Sequence, residues 1–383
     1  MRSILLTTLL LATGCAPAVT TSTSTAPTSS AGAAAVSPAP ARAALTGTTF
    51  TMPADREMVS FYAAGGALVA YSTKDAPPPY ASRILLADPP AGPWRVVYES
   101  DARLGVEGVV EDRIAFGEYR EPYQGGGAYS EVFAVVDLAT GQKTDIDRFT
   151  MSAATYRGGG SAPRRPIGAI VLGPDHVAWT RLVEGAAGSV TGELRIAPLG
   201  DPTTGTLVAT STEWVRPLAV DAHRLVYVLS DKTEESLHVR QIDSGADAVV
   251  LTGPVGDTAR GEIPGFDYAA VSGDWAVWLD ARSFKSSSTE HGTGHAVNLA
   301  TGDERALEVV GSSCSGVSAG SRYFVWACGR LEDPRDSLIL DAKTLDTVRP
   351  IPSGTAVGLI ASGDGLIWFN VSGTTRTVTL FRP

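Results

Sequence analysis

The chain has no basic cluster: 31 Lys and Arg residues face 41 Asp and Glu residues, giving a formal charge of −10. An acidic chain gains nothing from counterion release at phosphates, which argues against a nucleic-acid partner. Long amphipathic stretches are few, whereas 41 Gly and 24 Pro residues punctuate the sequence. That pattern points to short strands and turns rather than helices. The apolar run at 4–12 is too short to span a bilayer as a helix. Cysteine is scarce, with Cys15, Cys314 and Cys328 alone, and two cysteines without nearby histidines do not make a zinc site. The run Gly125-Gly126-Gly127 lacks the Lys-Ser/Thr ending of a phosphate loop, and no G-x-S-x-G serine elbow is present. His291 and His295 have the spacing of helical metal ligands, but the Gly-Thr-Gly between them opposes a helix, and they read as exposed loop residues. His176 and His223 fall beside tight turns and read as structural. Neither a metal nor another cofactor is expected.

What is present is a repeat. Seven short apolar strands end in an aromatic residue: Tyr71, Phe116, Trp179, Tyr227, Trp278, Trp326 and Trp368. Their mean step of about 50 residues lies in the range of solenoids and propellers. Most are followed by a second strand that runs into a turn, as in VVDLATGQ (135–142), RQIDSGAD (240–247), AVNLATGD (296–303) and LILDAKTL (338–345). If four antiparallel strands are lettered a to d from an axis outward, the fifth repeat reads 266–273, 275–282, 294–301 and 304–311. The second reads 104–110, 113–119, 131–138 and 142–148. Strands a are rich in Gly, Ala and Val, as crowding around an axis requires, and strands b carry the large aromatic.

The chain ends supply an independent check. The seventh repeat stops after three strands, and an unassigned strand, LTGTTFTM at 45–52, precedes the first. Placed as strand d of the last blade, it closes the ring and removes an open edge. The expected fold is therefore all-β: a single seven-bladed β-propeller of four-stranded antiparallel blades, the last blade closed by the N-terminal strand. A count of six or eight would require one of the seven aromatics to be misassigned.

Three segments divide the chain. Arg2, the apolar run and Gly14-Cys15 resemble a bacterial lipoprotein leader. The resemblance implies residues 1–15 as a signal peptide ending at Cys15, whose sulfur would take a diacylglycerol; two acyl chains suffice for stable anchoring. An ordinary secretory leader is the alternative. Residues 16–44, mostly Ala, Thr, Ser and Pro, carry too little apolar bulk to offset ordering entropy and read as a disordered tether. Such a tether spans roughly 30 Å, or roughly 90 Å when extended. Residues 45–383 form the propeller. Export would permit a Cys314–Cys328 disulfide across the hairpin near Gly320 and Ser321, with two buried thiols as the alternative.

The strings SGDWAVW (272–278) and SGDGLIW (362–368), with DLATG after strand c, resemble TolB-like, WD-like propeller repeats of exported bacterial proteins. These motifs are structural: Gly-Asp makes the a–b turn, the aromatic fills the core, and Asp-x-x-Thr-Gly makes the c–d turn. The chain departs from TolB itself, because the tether leaves no room for a separate N-terminal α/β domain. Partnership with the peptidoglycan-associated lipoprotein is not implied.

Recognition is expected on the face that bears the b–c and d–a connections, where the long segments 119–129, 147–166, 183–192, 252–265 and 282–294 fall. Tyr119, Arg120, Tyr123 and Tyr129 flank the triple glycine, and Tyr and Arg are typical of binding surfaces. Arg164 and Arg165 could grip an acidic partner. These features suit a monomeric, membrane-anchored lipoprotein that binds another exported protein or a cell-envelope glycan. Its only membrane contact would be the lipid on Cys15. One alternative is a glycan hydrolase or lyase using Glu57, Glu107 and Asp267 near the starts of strands a. A purely structural envelope role is the other.

Overall fold

The computed structural model describes residues 46–52, 58–64, 67–72, 81–88, 92–120, 128–152, 169–186, 189–231, 233–254, 269–279, 293–308, 317–326, 338–348, 358–372 and 375–382. The expected leader (1–15), the expected tether (16–44) and the expected Cys314–Cys328 pair lie outside them.

The strands fall into seven antiparallel sheets. From the axis outward, blade 1 is β2 (Met58–Ala64), β3 (Ala67–Ser72), β4 (Ser82–Ala87) and β5 (Arg95–Ser100). Blade 2 is β6 (Arg103–Val110), β7 (Arg113–Arg120), β8 (Tyr129–Asp137) and β9 (Lys143–Met151). Blade 3 is β10 (Ile170–Leu172), β11 (His176–Glu184), β12 (Val190–Pro198) and β13 (Thr206–Ser211). Blade 4 is β14 (Trp214–Val220), β15 (Arg224–Ser230), β16 (Glu234–Gln241) and β17 (Asp247–Pro254). Blade 5 is β18 (Ala270–Ser272), β19 (Trp275–Leu279), β20 (Thr293–Asn298) and β21 (Glu304–Glu308). Blade 6 shows β22 (Val317–Ala319), β23 (Tyr323–Trp326) and β24 (Leu338–Asp341) among the described residues. Its outer strand begins where Thr347 bridges Leu340 and the Val348 amide donates to the Ile339 carbonyl at 2.8 Å.

Blade 7 is β25 (Gly358–Ser362), β26 (Gly365–Ser372), β27 (Thr375–Arg382) and, outermost, β1 (Thr46–Thr51). The β1–β27 pairing runs from Thr46 opposite Arg382 to Thr51 opposite Thr377. The N-terminal strand therefore closes the ring, as the sequence predicts. The innermost strands β2, β6, β10, β14, β18, β22 and β25 touch in that order, and β2 meets β26 to complete the circle.

Seven apolar clusters hold the ring, and each lies between two successive blades. Val69 and Ile84 of blade 1 pack with Val106 and Phe116 of blade 2. Ala178 and Leu194 of blade 3 pack with Leu225 and Tyr227 of blade 4. Across the closing seam, Phe50, Ile367 and Val378 pack with Phe61 and Leu68. Alternate residues of one strand serve opposite neighbours: Leu225 and Tyr227 face blade 3, whereas Val226 and Val228 face blade 5. Both faces of a blade are thereby covered, which is why the second strands read as continuous apolar runs. Phe116, Trp179, Tyr227, Trp278, Trp326 and Trp368 are all buried.

The repeated turn motifs build one face of the ring. In the turns after β18 and β25, Gly273 and Gly363 adopt φ of 54° and 55° before Asp274 and Asp364. The corresponding position after β6 is Glu111, with φ of 53°. In the turns after the third strands, Asp137 Oδ1 accepts the Thr140 amide at 2.7 Å, Asn298 Oδ1 the Thr301 amide and Asp341 Oδ1 the Thr344 amide, both at 3.1 Å. In blades 2 to 6 the two turn sets are tied together. Leu138 N donates to Asp112 O, Leu199 N to Asp175 O, Ile242 N to His223 O, Leu299 N to Asp274 O and Ala342 N to Arg322 O, at 2.7–2.8 Å. These Asp, Thr and Gly residues are spent on scaffolding.

Candidate functional site

The opposite face carries the connections from second to third strands and from outer strands to the next blade. The longer ones, 121–128, 152–169, 255–269 and 280–292, fall there as expected. Two expected loops are shorter at their starts, because β9 runs to Met151 and β17 to Pro254. The segment 183–192 is not a long loop: β11 reaches Glu184, β12 begins at Val190, and the Gly185 amide bonds the Ser189 carbonyl at 2.7 Å.

The residues flanking the triple glycine separate into different environments. Tyr129 opens β8 and is 2% exposed, and its hydroxyl donates to Glu131 Oε2 at 2.8 Å. It packs on Phe149 and belongs to the core, not to an exposed binding surface. Tyr119 is half-buried against the same cluster. Arg120 is exposed and ion-paired with Asp101, and that guanidinium holds the Asp101 carboxyl below its ordinary range. Tyr123, Arg164 and Arg165 lie outside the described residues, as do Glu57 and Asp267. Glu107 is the extra residue where the β6–β7 register shifts between Val106 and Gly108. His291 is not described, and His295 is not a loop residue: it lies within β20, half-buried and stacked on Trp278 at 5.6 Å. Among the described residues no three His, Cys, Asp or Glu side chains converge as a metal would require.

A polar cluster joins blades 1 and 2. Glu118 accepts from Lys143 at 2.5 Å, from Tyr98 at 3.3 Å and from Ser100. Burial alone would raise the Glu118 pKa, but the Lys143 and Ser100 hydrogen bonds hold it below the ordinary value. Burial, with Glu118 adding to it, pushes the Tyr98 phenol up. Paired in this way, the cluster fastens two blades and offers no open reactive group.

The candidate ligand site lies between blades 3 and 4. A cleft of about 560 Å³ opens on the long-connection face. Thr191, Thr210, Ser211 and Thr212 line it from blade 3, and Ser230, Ser236 and Thr252 from blade 4. The Ser230 side chain is buried and donates to the Asp231 carbonyl, and the Ser211 hydroxyl donates to the Ser230 carbonyl. Asp231 and Glu234 add carboxylates, and Leu229 adds an apolar patch. Asp231 is held low by the amides of Thr233 and Glu234, which its Oδ1 accepts at 2.6 and 2.8 Å. A smaller hollow of about 190 Å³ on the short-turn face is lined by residues such as Asp137 and Gln142, whose polar groups the turn network already uses.

Ser236 of the cleft lining belongs to an arrangement that the sequence does not announce. Ser236 Oγ lies 2.9 Å from His238 Nε2, and His238 Nδ1 lies 3.4 Å from Asp247 Oδ1. The Tyr227 hydroxyl bonds Asp247 Oδ2, and its ring stacks on His238 at 4.7 Å and 17°. Burial, followed by Asp247, pushes the Tyr227 phenol well up, so it stays a neutral donor. The signal was the i, i+2 spacing of Ser236 and His238, which puts both side chains on one face of a strand.

No family model matches the sequence, and no curated protein matches it. Solved structures do. An oligogalacturonate lyase in complex with manganese aligns with a TM-score of 0.53 and 13% identity, over 88% of this chain and 96% of that one. The propeller domain of the Trilobed protease from Pyrococcus furiosus aligns with 0.54 and 11%, over 85% and 95%. A prolyl endopeptidase aligns with 0.53 and 14%, over 83% of this chain and 46% of its own, so this chain spans about half its length. TolB from Acinetobacter baumannii also matches, but its TM-score of 0.42 adds nothing finer than a propeller. At these identities the comparisons establish the β-propeller fold alone.

Proposed function

We propose that the protein is a binding module whose ligand is a hydroxyl-rich cell-envelope glycan, taken up in the cleft between blades 3 and 4. The observation that supports this reading is the cleft lining, in which Thr191, Thr210, Ser211, Thr212, Ser236 and Thr252 stand beside Asp231, Glu234 and Leu229. Sugars present rows of hydroxyl donors and acceptors with weakly apolar C–H faces. Carboxylates and hydroxyls on a rigid frame match the rows, and Leu229 matches a C–H face. In the same proposal the chain is exported and held to the membrane by lipid on Cys15. Binding of another exported protein through the 119–129 segment is less favoured, because Tyr129 is buried and Arg120 is already paired with Asp101.

The test is an array of envelope polysaccharides probed with the mature protein, followed by calorimetry on the retained glycan. Thr210→Val and Glu234→Gln should each weaken binding by about tenfold, the value of one lost hydrogen bond to a neutral or charged partner. Melting should be unchanged. If no glycan is retained, or both variants bind as the wild type does, the reading fails; a single crosslinked protein captured through 119–129 would replace it.

A further inference from the structure

Ser236, His238 and Asp247 are joined through the atoms that nucleophilic catalysis uses. The hydroxyl faces Nε2 and the carboxylate faces Nδ1 at 3.4 Å, the arrangement in which a proton on Nδ1 leaves the Nε2 lone pair toward the serine. Three further contacts hold the set in place. Tyr227 stacks on the imidazole and bonds the second oxygen of Asp247. Ser236 Oγ also donates to the Leu229 carbonyl at 3.2 Å, so its proton has two acceptors, of which the imidazole is the nearer. Neighbouring strands of one blade carry all four residues: β15 holds Tyr227, β16 holds Ser236 and His238, and β17 holds Asp247. The outermost member, Ser236, lines the cleft.

Ser236 and His238 lie outside the repeated turn motifs and the ring of second-strand aromatics, whereas Asp247 closes the turn motif RQIDSGAD and Tyr227 is the second-strand aromatic of its blade. The stacked imidazole recurs, since blade 5 has His295 opposite and stacked on Trp278. What sets blade 4 apart is that its imidazole also meets Ser236 and Asp247, and blade 2 has Val132 and Ala134 at the two third-strand positions opposite Glu118 and Phe116. Blade 4 has Ser236 and His238 opposite Leu229 and Tyr227.

We propose that Ser236 is the nucleophile of an ester-hydrolysing site, with His238 as its general base and Asp247 as the group that positions His238. The substrate class is an acyl ester on a hydroxyl-rich ligand, which rests on the cleft being a ligand site. The Ser236 proton passes to His238 Nε2 as Oγ bonds the ester carbonyl carbon. The tetrahedral adduct collapses, the bond from carbon to the alcohol oxygen breaks, and the alcohol leaves with the proton from Nε2. Water then attacks the acyl-serine, giving its proton to Nε2. The carboxylic acid departs as that proton returns to Oγ. The balance is ester plus water to acid plus alcohol, with no oxidant or metal.

The test is labelling of the intact mature protein with a fluorophosphonate probe, the modified residue being located by peptide mass spectrometry. Wild type should label at Ser236, Ser236→Ala should not, and His238→Gln should label about 100-fold more slowly or worse. No labelling under conditions that saturate a reference serine esterase overturns the proposal, as does a rate at Ser236 that ignores His238→Gln. If His238→Gln fails to fold, Ser236→Cys retains the imidazole. Its thiol should then be alkylated at pH 6 at least about tenfold faster in the native than in the denatured protein, and equal rates reject the proposal. Neither reagent is a glycan, so failure here leaves the glycan-binding reading standing, and the reverse holds.

Discussion

Ser362 Oγ accepts the Ala63 amide at 3.0 Å, a buried bond between residues 299 apart in sequence. It joins the innermost strand of the last blade to that of the first, and Ser318 does the same for the Ala361 amide at 2.9 Å. Ser362→Ala leaves a buried amide without this acceptor and should cost about 1–3 kcal/mol. Ser321→Ala, which removes an exposed contact to the Gly363 carbonyl, should cost less than about 0.5 kcal/mol. Urea denaturation of the two variants checks this, and equal midpoints would refute it.

The closing strand should matter more than its six residues suggest. Deleting 45–52 removes the buried Phe50 and Met52, each worth about 1.5–3 kcal/mol of burial, and unpairs β27. Deleting 16–40 should leave melting almost unchanged. Calorimetry on the two truncations is the comparison, and similar melting temperatures would contradict the closure's energetic role.

Two turn positions with the same backbone sign should respond oppositely to glycine. Glu111 has φ of 53° where other blades place glycine, so Glu111→Gly should stabilise by about 0.5–1 kcal/mol. Leu345 has φ of 62°, yet its side chain is buried in the seam between blades 5 and 6. Leu345→Gly relieves the backbone but forfeits about 1.5–3 kcal/mol of burial, so it should destabilise. Chemical denaturation reads both signs.

Acid should loosen the seam between blades 1 and 2. Glu118 is depressed below its ordinary value of 4.5, so its contribution is complete above that pH and is lost as pH falls through the lower folded value. In Glu118→Gln this part of the acid dependence should vanish, leaving a shallower fall in stability below pH 4.5. Melting temperatures measured across the acid range would show an unchanged slope if Glu118 carried none of it.

The blades were legible because alternation and the aromatic recur at every repeat, and because three strands at one end and one at the other can only be reconciled by closure. What the sequence concealed depends on strand bounds and register rather than on the repeat. Tyr129 reads as a loop residue beside glycines until β8 is seen to begin two residues earlier than expected, which puts Tyr129, Glu131 and Phe133 on one inward face. His238 shares no motif with Asp247, since a turn separates them and only the β16–β17 pairing brings them together. A search for a linear serine-hydrolase signature cannot detect a set assembled by strand register.

Anchoring should depend on one sulfur. If Cys15 carries the proposed diacylglycerol, Cys15→Ser removes its acceptor, and fatty-acid labelling and membrane retention should both be lost. Equal labelling of variant and wild type would contradict the anchor.

The direction of β1 sets an orientation. As the outermost strand of blade 7 it starts at Thr46 on the short-turn face and ends at Thr51 on the long-connection face. The first residue of the closing strand and the cleft between blades 3 and 4 therefore lie on opposite faces of the ring, so a label placed at Thr46 and a ligand held in that cleft would never share a surface.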